Sequence, residues 1–113
     1  MGLIAREIER AGVPTLCMTS AWDISAAVAP PRSAFVHFPL GHQTGKPGDL
    51  TGQIALVRGA LEAGVALRDP GGIARLPFEW DVPGDEGWES RAYSPEHTAQ
   101  SPDGKPARGE KPA

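Results

Sequence analysis

Apolar positions along the first eighty residues change period several times, from helical spacing to short unbroken runs and back. Leu3, Ile4, Ile8 and Ala11 fall on one side of residues 2–11, with Arg6, Glu7, Glu9 and Arg10 largely opposite. That pattern predicts an amphipathic helix, and Gly12 stands where a helix C-terminal glycine belongs. After Val13-Pro14, the run Thr15-Leu16-Cys17-Met18-Thr19 is short, apolar and without helical period, so it reads as a buried strand. Ser20 followed by Asp23 matches a capping box opening a short Ala-rich helix over about 21–28, which Pro30-Pro31 ends. A second strand, Ser33-Ala34-Phe35-Val36-His37-Phe38, is broken by Pro39. A loop from Leu40 to Asp49 precedes the longest helical pattern, in which Leu50, Ile54, Val57, Leu61 and Val65 recur. Asp49 or Thr51 can cap its start, and Asp69-Pro70-Gly71-Gly72 is a turn beyond its end. The run Ile73-Ala74-Arg75-Leu76-Pro77-Phe78 reads as a short third strand at an edge, because Pro77 cannot donate to a central ladder.

Helix–strand–helix–strand–helix order implies parallel strands covered by helices. The expected fold class is therefore α/β: a partial three-layer, parallel-sheet fragment of Rossmann or flavodoxin-like type. Such a sheet is buried on both faces and needs several strands to close its core. Two strands and an edge candidate fall short, so further strands are expected from another chain or from another part of the same protein. After Val82 no Ile, Leu, Val or Met occurs. Residues 83–113 are expected to be a disordered, dispensable tail attached to an α/β part over residues 1–82.

Composition narrows the function classes. The sequence has 113 residues, at most one small domain, and a net charge of −3. It lacks the basic footprint of a nucleic-acid binder or of a protein held on an anionic membrane. No apolar stretch approaches the ~20 residues of a membrane span. The mixed-charge N-terminus lacks the basic-then-apolar order of a secretory signal. A single cysteine, Cys17, excludes an internal disulfide framework and a Cys-rich zinc site, and the cytoplasm is the expected compartment.

Chemistry concentrates in one segment, Phe38-Pro-Leu-Gly-His-Gln-Thr-Gly-Lys-Pro-Gly-Asp49. It follows a strand and precedes a helix, the place where open α/β sheets bind ligands. Gly41, Gly45 and Gly48 allow close backbone approach, Lys46 offers a positive charge, and His42 can donate a hydrogen bond or move a proton. Amides at the start of the next helix can hold a carboxylate or phosphate. The candidate binding residues are therefore Gly41, His42, Gly45, Lys46 and Asp49. The spacing is neither a Walker A loop nor Gly-x-Gly-x-x-Gly, and Pro47 stands where Ser or Thr would ligate magnesium. A solvated glycine-rich connection is the competing reading. Cys17 in its apolar run reads as a small buried hydrophobe, and His37 reads as structural. His97 has no partner in sequence, and the acids from Asp81 to Glu89 read as a solvated linker. Three scattered histidines make no metal site.

Beside these residues, the chain resembles the C-terminal portion of the selenoprotein B-type subunits of glycine, sarcosine, betaine and D-proline reductases. The resemblance runs from Gly2 to about Trp80. It rests on Gly2-Leu-Ile-Ala-Arg-Glu-Ile-Glu-Arg-Ala-Gly-Val-Pro-Thr15, on Pro30-Pro-Arg32, on the loop ending at Asp49, and on Leu76-Pro-Phe-Glu-Trp80. It implies reductive cleavage of a carbon–nitrogen bond, with a selenolate or thiolate attacking the carbon that bears nitrogen. It also implies partners, either other reductase subunits or further copies of the chain, and in some members a pyruvoyl group on a partner subunit. The family's redox pair, Cys-x-x-Cys or its selenocysteine form, precedes the matching segment, and Cys17 does not correspond to it. No catalytic residue or cofactor is therefore expected in this chain itself. The alternative is a non-catalytic module that binds an anion or small molecule, or serves assembly. Sequencing the reading frame upstream of Met1 checks the resemblance. It should encode Cys-x-x-Cys or its selenocysteine equivalent, and non-coding DNA or an unrelated gene there would remove the basis for it.

Overall fold

Three short parallel strands, each entered from a helix, form the centre of a first unit over residues 1–80. A computed structural model describes residues 1–92 of the chain. The first unit contains α1 (Gly2–Arg10), β1 (Cys17–Thr19), α2 (Trp22–Val28), β2 (Arg32–Phe35), α3 (Leu50–Ala66) and β3 (Gly72–Arg75). The sheet order is β1-β2-β3 with both pairings parallel, so β3 is an edge strand as expected, although it ends at Arg75, before Pro77. Val36 N–H donates to the Thr19 carbonyl at 3.0 Å and Leu76 N–H to the Phe35 carbonyl at 2.8 Å, carrying the ladder past the strands. The chain is thus mixed α/β with a small parallel sheet. Among the described residues no helix is long and apolar enough to cross a membrane.

Alternation along the strands assigns the two faces. Ala34 and Val36 join Leu56 and Ala60 of α3, with Phe38 and Leu76, in one buried cluster. Phe35, one residue on from Ala34, meets the Trp22 ring of α2 edge-on at 5.2 Å. Ser33 shares that second face and is fully buried, and its hydroxyl has no hydrogen-bond partner.

The bulky stripe that marks α3 in the sequence is not the side that meets the sheet. Leu50, Ile54, Val57, Leu61 and Val65 are between 37% and 77% exposed, whereas Leu56 is 1% and Ala60 0%. Gly59, Ala60, Ala63 and Gly64 make the sheet-facing side small. A Cβ at Gly64 would stand 3.2 Å from a Leu16 methyl, so the absence of a side chain lets the helix lie close over β1. α1 behaves alike: Ala5 is buried while Leu3, Ile4 and Ile8 stay largely exposed.

Helix ends follow local chemistry. α1 closes as expected at Gly12, whose φ of +92° suits glycine. Gly12 N–H donates to the Glu9 carbonyl and Val13 N–H to the Ile8 carbonyl, the paired bonds of a Schellman stop. The Glu9 carboxylate then accepts the Thr15 N–H at 2.8 Å and lies 3.5 Å from Arg32. The Thr15 amide foremost, with the Thr15 hydroxyl and Arg32, holds this carboxyl below the usual range. The capping box expected at Ser20 and Asp23 does not form. Thr19 Oγ accepts the Ala21 N–H at 3.0 Å and the Ser25 hydroxyl at 2.8 Å, while Ser20 Oγ is buried without a partner. At α3, Asp49 rather than Thr51 is the cap, accepting the Gly52 N–H at 3.1 Å.

The second unit is described only to Ala92. There turns at 83–84 and 86–87 lead into α4 (Trp88–Ala92), which holds Glu89, with Asp85 paired to Arg91. The segment expected to be disordered from residue 83 is thus ordered up to Ala92, through local turn bonds and this ion pair. Its remainder lies outside the described residues, as does His97.

The two-sided reading of α3 has a direct test. Leu56→Ala should cost about 2–5 kcal/mol, as for other buried leucines. Leu50→Ala should stay within about 0.5 kcal/mol when unfolding is measured at low protein concentration. Equal losses would place the stripe in the core.

Candidate functional site

The carboxyl ends of β2 and β3 converge. From β2 the chain runs through Phe38 into a loop of tight turns: His42 N–H donates to the Pro39 carbonyl, Gly45 N–H to His42, and Asp49 N–H to Lys46. The Lys46 carbonyl also accepts Gln53 Nε2 at 2.7 Å, tying the loop to α3. Gly45 has a φ of +123°, and a Cβ there would meet Gln53 Cγ at 2.8 Å. This glycine serves the loop's own approach to the helix.

From β3 the chain continues through Leu76-Pro77-Phe78-Glu79-Trp80 and brings its last aromatic under the loop. The Trp80 ring lies 5.2 Å from Phe38, edge-on, and 5.0 Å from His42. The two segments are separated by the whole of α3 and β3 in sequence, yet they share one packed corner.

Between them lies a cleft of about 50 Å³, lined by Phe38, Gly45, Lys46, Asp49, Gly52, Leu56, Phe78 and Glu79. That is room for a water or two, far below the ~300–1,000 Å³ of a complete small-molecule site. Of the five sequence candidates, Gly45, Lys46 and Asp49 line the cleft. Gly41 is exposed on the loop, and His42 packs on Trp80 outside the lining. Phe78 and Glu79 belong to the cleft and were not among the candidates, although their segment is one of those that carry the family resemblance.

Charge runs against an anion here. The Asp49 carboxylate already occupies the α3 N-terminus, and Gly52 leaves room for it, since a Cβ would sit 2.1 Å from Asp49 Oδ2. With Glu79 beside it, two carboxylates face one lysine, so the cleft suits an ammonium or a hydrogen-bond donor better than a phosphate.

Other constellations lie apart. Arg75 places its guanidinium 5.0 Å from both the Trp22 and Phe35 ring centroids on the second face. His37 is exposed, 6.2 Å from Phe35. Cys17 lines an apolar hollow of about 300 Å³ beside Ile4, Ile8, Leu16 and Met18, along the free edge of β1. No group of three His, Cys, Asp or Glu side chains among the described residues is placed to hold a metal.

Burial pushes the Cys17 thiol up, with Glu9 adding to the effect. A raised thiol favours folding while it is protonated, and that contribution fades as pH climbs through the unfolded value toward the folded one. Alkylation of Cys17 at pH 8 should therefore be slower in the native chain than in denaturant, with the gap narrowing at higher pH. Equal rates would show an unhindered thiol. No family model, curated protein or solved structure matches the chain, so a functional reading rests on its own residues.

Proposed function

We propose that the chain is a part or subunit of a reductase-like oxidoreductase of the selenoprotein B type, acting on a glycine-, sarcosine-, betaine- or D-proline-like amine. In this reading it forms a wall of the substrate site and carries no redox pair. The observation that carries the reading is the meeting of Phe38–Asp49 with Leu76–Trp80 at one corner of the sheet. These are the two segments nearest the sheet's carboxyl end on which the family resemblance rests, and that end is where Rossmann- or flavodoxin-like sheets bind ligands.

The electrostatics support an amine substrate. Asp49 and Glu79 present negative charge to a substrate ammonium, and Phe38 and Phe78 supply apolar surface beside it. A thiolate or selenolate from elsewhere in the assembly attacks the carbon bearing nitrogen. The carbon–nitrogen bond breaks as the new sulfur– or selenium–carbon bond forms, and the amine leaves with a proton. The second thiol of the pair then attacks the sulfur or selenium, the carbon departs and takes up a proton, and a disulfide or selenenylsulfide remains. The two electrons come from the redox pair, which a dithiol restores. The small cleft is completed by other polypeptide, and the open edge of β1 with its apolar hollow is a seat for a further strand.

Isolated with its native companions, the protein should release ammonia or a methylated amine from glycine, sarcosine or betaine, or open the D-proline ring, with a dithiol as reductant. Glu79→Gln, Lys46→Ala and His42→Ala should each lower turnover or binding by about 10- to 100-fold, the scale of a charge-assisted hydrogen bond. Melting temperatures of the variants should stay unchanged. An assembly inert toward all four substrates, or indifferent to all three substitutions, would overturn the reading. Binding without turnover would assign the chain to a non-catalytic module.

A further inference from the structure

One exposed flank of α3 carries Leu50, Ile54, Val57 and Leu61 at successive spacings of four, three and four residues. That is the narrow repeat of a seam between two helices, and it marks another helix, lying lengthwise, as what covers it. A shallow groove along the seam is rimmed by Gln53 on one side and by Arg58 and Glu62 on the other. No ion pair among the described residues uses Arg58 or Glu62. Residues 93–113 contain no Ile, Leu, Val, Met, Phe or Trp, so the chain's own tail lacks the side chains to fill the seam.

We propose that α3 packs antiparallel against α3 of a second copy, across a two-fold axis near Gly59. The charges select this arrangement. A two-fold axis perpendicular to two antiparallel helices sets each flank against the same flank of the other copy. Arg58 then faces Glu62 of the second copy, and Glu62 faces its Arg58, so both pairs form at once. With the axis near Gly59, Val57 lies opposite Leu61 of the second copy, and each Arg58 is offset from its Glu62 by about 3 Å along the axis. An arginine side chain spans that offset. A parallel pairing would instead set Arg58 and Glu62 against Gln53 and leave the charges unmatched. The contact is independent of the reductase reading, because none of its residues lines the cleft at the carboxyl end of the sheet.

Sedimentation of the full chain tests it. Wild type should pass from monomer to dimer between about 5 and 200 μM, the range for a small interface. Leu61→Asp, at a position 59% exposed, should keep the circular dichroism and melting of the dilute monomer and abolish the dimer. Arg58→Glu and Glu62→Arg should each weaken dimerisation by about tenfold, the scale of one interfacial charge pair. The double variant should restore it. A chain monomeric throughout, a dimer indifferent to Leu61→Asp, or a double variant no tighter than the single ones would overturn the proposal.

Discussion

The contact between β2 and the small-residue side of α3 governs the first eighty residues. Ala34 and Val36 on the strand and Ala60 and Leu56 on the helix are all but sealed from solvent. Glycines at 59 and 64 bring the helix axis down until Phe78 and Leu16 touch where Cβ atoms would stand. Close approach maximises dispersion contacts with little side-chain volume. It also leaves the helix's larger apolar residues with nowhere to go but outward. Dense packing inside and an apolar outer face therefore follow from one cause.

The same contact positions the candidate site. Because α3 lies tight on the sheet, its first turn stands directly over the ends of β2 and β3. Asp49 then reaches the Gly52 amide, and Gln53 holds the Lys46 carbonyl. Residues after β3 are drawn under the loop, where Trp80 is enclosed by Phe38 and His42. A helix N-terminus in such a place is commonly open to anions. Here the chain's own Asp49 carboxylate fills it, accepting the Gly52 N–H.

The three strands present their edges differently. β3 is followed by Pro77, which has no amide to give a further strand, and ends at Arg75, whose guanidinium lies over the Trp22 and Phe35 rings on the second face. β1 has neither, and beside it lies an apolar hollow.

Much of this was readable from the residues alone. Periods, prolines and glycines located all six elements of the first unit, the parallel order and the Gly12 stop, and narrowed the α3 cap to Asp49 or Thr51, because each depends on neighbours within a few positions. Where a nearby alternative existed, the outcome differed: Thr19 accepts the Ala21 amide and the Ser25 hydroxyl at the start of α2, and Ser20 makes no cap. What the tertiary structure alone decided is which side of α3 turns inward, and which residues join at the carboxyl end of the sheet. Sequence periodicity measures the bulk of side chains, whereas packing against a close parallel sheet selects small ones. Glu79 and Trp80 reach the loop of Lys46 and His42 only because the chain between them folds back through a helix and a strand, and no local pattern records that distance.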